Sequence, residues 1–227
     1  MNMKFNVSLD VLEERKGAAE RAVKIVRAHH ILSTNRDNCI KISKRRLNKF
    51  AKWRDNPNAP YKTIEQTARK VRKIGVGNCE EKAFICLEPL VKDPILRFNR
   101  SRHYINLCTS GIYDSDGECI EGVDHVFVII SDNKIMSETS MFNLGGAAII
   151  IDGWTEDWYF PNLSNLDIEK YSLKNKKSNT YEQQYIRDLV MGGSVYPFQD
   201  QAARRHQKMM IYQASGEAMG RSKFYIK

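Results

Sequence analysis

The sequence predicts an α+β fold, and three features carry that prediction. Up to Pro94, apolar residues recur at helical spacing, one stripe after another. From His103 to Asp152, short stretches rich in β-branched and aromatic residues are separated by turn-forming clusters, which is the pattern of an antiparallel sheet. Within the helical part, Gly75-Val76-Gly77-Asn78-Cys79 reads as a flexible turn that delivers a cysteine onto the first turn of a helix.

A chain of 227 residues is long enough for one domain with a sizeable core. With 42% hydrophobic and 28% charged residues it has the composition of a soluble globular protein, and no apolar run approaches the length of a membrane span. Met1-Asn2-Met3-Lys4-Phe5 is not a secretory leader, so the five cysteines are expected as thiols in a reducing compartment, while export by a leaderless bacterial route stays open. The net charge of +9 is uneven: residues 1–78 hold 19 Lys and Arg against 7 Asp and Glu, and the remainder is mildly acidic. A basic first third fits either a solvated helical face or an acidic partner, whether a protein, a membrane surface or, less favoured, nucleic acid.

In order, Asp10 with Glu13 reads as a capping box, and Val11, Leu12, Ala18, Ala19, Ala22, Val23 and Val26 form the stripe of a helix reaching about Ile31, ended by His29 and His30. A second helix follows Ser43, with Leu47, Phe50, Ala51 and Trp53 inward and its basic residues outward. Trp53 reads as core in preference to a base-stacking residue. A third helix starts near Thr63 and buries Ile64, Ala68, Val71 and Ile74. The fourth is capped by Asn78, begins at Cys79, and is closed by Pro89 and Pro94. Strands are expected over His103–Tyr113, Gly122–Ser131 and Ala147–Asp152, with Asp114-Ser115-Asp116-Gly117 as a hairpin turn. After the polar loop from Pro161 to Asn179, one helix is expected from Thr180 to Gly192 and another from Asp200 to about Gln213. The expected organisation is a basic helical subdomain over 1–62, a core over 63–213 and a loose tail over 214–227.

Acyl transfer by cysteine needs a thiolate, an imidazole that protonates the leaving group, and a third group that fixes the imidazole tautomer. Cys79, at a helix N-terminus, sits where the helix dipole favours the thiolate. His125 opens an apolar strand and Asp152 closes another, so neighbouring strands would let Asp152 accept from the ring while its second nitrogen faces Cys79. Trp154 either walls this cleft or packs as an ordinary aromatic, and Cys86 reads as core. The backbone N–H of Cys79 is the first choice as oxyanion donor, with the Asn78 amide second.

The blocks Gly77-Asn78-Cys79-Glu80-Glu81-Lys82-Ala83, Asp124-His125-Val126-Phe127-Val128 and Ile151-Asp152-Gly153-Trp154 resemble the Cys, His and Asp blocks of the transglutaminase-like branch of papain-like enzymes, including bacterial effectors and toxin domains. The resemblance covers motif islands within residues 63 to 160, in the same Cys, His, Asp order. Gly153 stands where many of these sites have proline, Lys73 where papain-like proteases have glutamine, and Asp132 to Gly146 reads as an inserted loop. The resemblance implies a papain-like or transglutaminase-like fold, with a nucleophile-bearing helix packed on an antiparallel sheet. It also implies cofactor-free and metal-free transamidation or deamidation of glutamine in a protein substrate, a host protein in the case of an effector. A thiol protease and a non-catalytic basic binding module are the alternatives.

Overall fold

In the computed structural model, residues 8–35, 41–54, 63–98, 102–113, 119–135, 139–162, 194–197, 208–209, 211–213 and 224–225 are described. They form an α+β structure, with five helices and a mostly antiparallel sheet among those residues. Helix α1 (Leu9–Ala28) buries the expected stripe, and its alanines allow close packing against the later elements. It begins one residue before Asp10, with Ser8 as N-cap, so Asp10 is not the cap; it supplies negative charge to the first turn instead. His29 ends the helix and His30 turns left-handed, with φ of 46°.

Helix α2 (Lys44–Arg54) buries Phe50, on which Trp53 packs at 6.2 Å between ring centroids. Ala51, expected inward, is exposed, because the contact surface is a narrow stripe of Leu47, Phe50 and Trp53 at i, i+3 and i+6. Helix α3 (Ile64–Ile74) opens with a capping box between Thr63 and Gln66 and buries Ile64, Ala68, Val71 and Ile74, as its stripe predicts. It closes on Gly75 at φ of 71°, where the Arg46 guanidinium donates to the Ile74 and Gly75 carbonyls.

Helix α4 (Cys79–Lys92) is buried around most of its circumference, from Glu81 through Val91, and lies against α1, α3 and the sheet. It does not stop at Pro89. The proline takes one hydrogen bond out of the helix, but Leu90 and Val91 are buried just beyond it, and that burial carries the chain on to Lys92. The short helix α5 (Pro94–Phe98) follows at once, capped by the Asp93 carboxylate.

The sheet is built on β1 (Tyr104–Tyr113), β2 (Cys119–Ser131), β4 (Ile149–Asp152) and β5 (Asp157–Tyr159), which are adjacent in that order and antiparallel. The short β3 (Thr139–Ser140) lies in the loop after β2 and pairs with β6 (Ser194–Pro197), which in turn pairs with β1. Strand β2 is covered on both faces: Val126, Val128 and Ile130 join the cluster formed with the helices, while Phe127 and Ile129 join a second one with Ile150, Trp154 and Tyr159.

The helix expected from Asp200 to Gln213 is not formed at its described end. Lys208–Met209 is strand β7 and Ile211–Gln213 is strand β8, which pairs with the start of β1. Ile211 and Tyr212 are strand-favouring residues, and the open edge of β1 offers them backbone partners. Phe224–Tyr225, in the expected tail, is strand β9 and pairs with β7. The Asp114–Gly117 turn, most of the polar loop and the Thr180–Gly192 helix lie outside the described residues.

Arg15 ties α1 to the sheet from a fully buried position. Its guanidinium donates to His103 Nδ1, to the Ala147 and Arg102 carbonyls, and to the Asp132 carboxylate at 2.7 Å, while Glu14 accepts from the other face of His103. Removing Arg15 leaves His103 Nδ1 and the Ala147 carbonyl without their donor inside the protein, at about 1–3 kcal/mol for each buried group left unsatisfied. Arg15→Ala is therefore expected to lower the urea midpoint sharply, whereas Lys49→Ala, on the exposed face of α2, leaves it nearly unchanged.

Candidate active site

The turn before Cys79 is set by steric necessity at two glycines. Gly75 has the left-handed backbone, and a Cβ on Gly77 would approach Val71 Cγ1 and Glu81 Cβ to 2.9 Å each. After this turn the Glu81 carboxylate accepts from the Asn78 N–H at 2.9 Å, anchoring the first turn of α4, with Cys79 half-buried at its start. Glu80 and Glu81 add negative charge at the helix N-terminus, each within 4 Å of the Arg54 guanidinium.

Sheet register places the other two residues. Ile129 pairs with Ile150; counting on by two along each strand sets Asp152 opposite Phe127, on the face that also carries His125. The two side chains meet, with His125 Nε2 to Asp152 Oδ2 at 2.8 Å. Asp152 Oδ1 accepts the backbone N–H groups of Trp154 at 2.8 Å and Thr155 at 3.3 Å, so both carboxylate oxygens are engaged. The Cys79 thiol hydrogen-bonds the same imidazole, whose Nε2 is taken by Asp152 and whose remaining nitrogen is Nδ1. The structure thus brings Cys79, His125 and Asp152 together in one chain of hydrogen bonds.

The electrostatics follow from burial. His125 and Asp152 are each about 2% exposed. Burial alone would strip the imidazole of its proton, but the Asp152 charge and hydrogen bond outweigh it, with help from Cys79, and raise the His125 pKa to about 10. Asp152 is shifted the other way: burial pushes its pKa up, and the His125 charge together with the Thr155 and Trp154 donors brings it below the usual carboxylate range. Cys86 and Cys108 are fully buried, and burial drives both thiols far above their ordinary values, so they stay protonated.

Gly153 makes the close approach possible. A Cβ there would lie 2.7 Å from the Lys82 carbonyl oxygen, a backbone atom that cannot move aside, so the end of β4 abuts the first turn of α4 only through glycine. Trp154 is buried and set edge-on to the His125 ring at 5.8 Å between centroids, which excludes water from the imidazole-carboxylate pair. Asn78 does not stand free at the cleft: its Oδ1 accepts from the Thr34 N–H and hydroxyl, each at 2.9 Å.

The site also contains residues that spacing gave no reason to single out. Leu32 pairs in parallel with Val76, the Ser33 hydroxyl donates to the Gly77 carbonyl, and Asn35 Oδ1 accepts from Trp154 Nε1 at 3.1 Å. This segment follows a helix end and has no apolar periodicity, so its only sequence signal is the run of small polar residues Ser33-Thr34-Asn35. Among the described residues no group of His, Cys, Asp and Glu is arranged to hold a metal ion, and no helix is long and apolar enough to cross a membrane.

A His125 whose pKa is raised from 6.5 to about 10 contributes stability that is fully present below the lower value and is lost as pH rises through the upper one. Urea midpoints are accordingly expected to fall more steeply between those limits in the wild type than in Asp152→Asn, which lacks the carboxylate that raises the pKa. Parallel profiles would contradict the pairing. Comparison with protein-family models, curated proteins and solved structures gave no match to this chain.

Proposed function

We propose that the protein is a cysteine-dependent acyltransferase of the transglutaminase-like branch of papain-like enzymes, acting on glutamine side chains of a protein substrate. The observation that carries this reading is the single imidazole hydrogen-bonded on one side by Asp152 and on the other by Cys79. A helix-borne cysteine facing a strand-borne histidine and aspartate supports the papain-like assignment, and the three sequence blocks support the glutamine-directed branch.

In the first step the Cys79 thiolate attacks the carboxamide carbon, forming the C–S bond while the carbonyl electron pair moves onto oxygen. Collapse of that adduct breaks the C–N bond, and the His125 imidazolium gives its proton to the departing ammonia. The now neutral His125 takes a proton from an incoming primary amine or water as it attacks the thioester. An amine gives transamidation, and water gives deamidation. Asp152 holds the ring in position and remains ionised throughout. As an effector, the enzyme would meet its substrate in a host cell.

The test is incorporation of monodansylcadaverine into dimethylcasein, read together with peptide mass spectrometry for glutamine-to-glutamate conversion. Wild-type protein is expected to modify glutamines by one or both routes. Cys79→Ala and His125→Ala should lose the activity by about 1,000-fold or more, and Asp152→Asn by a smaller factor. Peptide-bond cleavage that depends on Cys79 would redirect the reading to a thiol protease. Modification that survives Cys79→Ala would overturn it.

A further inference from the structure

The segment Leu32–Asn35 runs along the nucleophile turn and is fastened to it residue by residue. The Leu32 N–H donates to the Gly75 carbonyl at 3.1 Å, the Gly77 N–H donates to the Leu32 carbonyl at 2.9 Å, and the Ser33 hydroxyl donates to the Gly77 carbonyl at 3.1 Å. Thr34 donates twice to Asn78, the residue preceding Cys79. Its neighbour Asn35 is then held from the other side by Trp154, whose ring stands edge-on to His125. The segment therefore bridges the residue before the nucleophile and the aromatic beside the base.

Asn35 differs from the other members in being exposed. With its Oδ1 engaged by Trp154 Nε1, the donors left on the carboxamide are the two N–H bonds of its NH2. The Trp154 bond also fixes the plane of the amide, because rotation about the terminal torsion would break it. A donor fixed beside the aromatic that flanks His125, on a segment bonded to the residue before Cys79, suits the oxygen that becomes negative during acyl transfer. Asn78 has its Oδ1 anchored in the same way, by Thr34, but it is half-buried, so its NH2 is less open to a bound substrate than that of the exposed Asn35.

We propose that the Asn35 NH2 group donates a hydrogen bond to the carbonyl oxygen of the acyl group attacked by Cys79, acting beside the Cys79 backbone N–H. This rests on Cys79 being the nucleophile, and it makes Asn35 a catalytic residue that recognises the carbonyl of the scissile amide or ester.

Two probes separate the claims. In acylation by p-nitrophenyl acetate, Cys79 attacks the ester carbon, negative charge builds on the carbonyl oxygen, and p-nitrophenolate leaves as the acetyl thioester forms. Iodoacetamide instead alkylates the same sulfur by displacing iodide, with no oxyanion. Removing one oxyanion donor costs about 100-fold or more, so Asn35→Ala and Asn35→Asp should slow the p-nitrophenolate burst by about that factor while alkylation of Cys79 stays within about twofold of wild type. A burst of undiminished rate in both variants would overturn the role of Asn35 and leave the nucleophile standing. An equal loss in burst and alkylation would also overturn it, showing that Asn35 only holds the site together. Absence of any Cys79-dependent burst in the wild type would overturn both this role and the acyltransferase reading.

Discussion

A charged pair enclosed in protein is the constraint on which the rest depends. His125 and Asp152 lie 2.8 Å apart and almost wholly out of water, where an ionised carboxylate or imidazolium survives only if its hydrogen-bonding positions are filled. The strand register puts them on one face, the turn at Gly153–Thr155 supplies two backbone donors to the carboxylate, and Trp154 closes the side. Glycine at 153 follows from the same requirement, because any side chain there would hold β4 away from the backbone of α4 and draw the carboxylate back with it.

The basic first third takes on an internal meaning in this light. Arg15 is wholly buried and joins α1 to the sheet, Arg46 closes the C-terminus of α3, and Arg54 faces the acidic first turn of α4. Arg21 pairs with Asp93, which caps α5. These four arginines are fastened to the scaffold that presents Cys79, while Lys44, Arg45, Lys49 and Lys52 remain on the exposed side of α2. Charge counted along the sequence thus mixes structural cations with surface ones, and only the second group is free to meet an acidic partner.

Legibility in the sequence followed the range of the interactions. The α3 stripe, the glycine turn, the start of α4 at Cys79 and the strands bearing His125 and Asp152 rest on spacing over a few residues, and all are present. The cap of α1 is Ser8 in place of Asp10, a shift of two residues, and of the two prolines expected to close α4 it is Pro94 that does so, because the burial of Leu90 and Val91 carries the helix past Pro89. Ile211–Gln213 failed for a long-range reason: the edge of β1, about a hundred residues earlier in the chain, provides pairing that no local pattern announces. Thr34 and Asn35 were invisible for the same cause, since their roles come from contacts with residues 78 and 154.

The most direct measurement is iodoacetamide alkylation of the folded protein, resolved cysteine by cysteine by mass spectrometry across pH, in wild type and His125→Ala. Cys79 is expected to react first among the cysteines at neutral pH and to slow by about tenfold or more without His125, while Cys86 and Cys108 react only on unfolding. Equal reactivity of Cys79 with and without His125, or none until the protein unfolds, would contradict it.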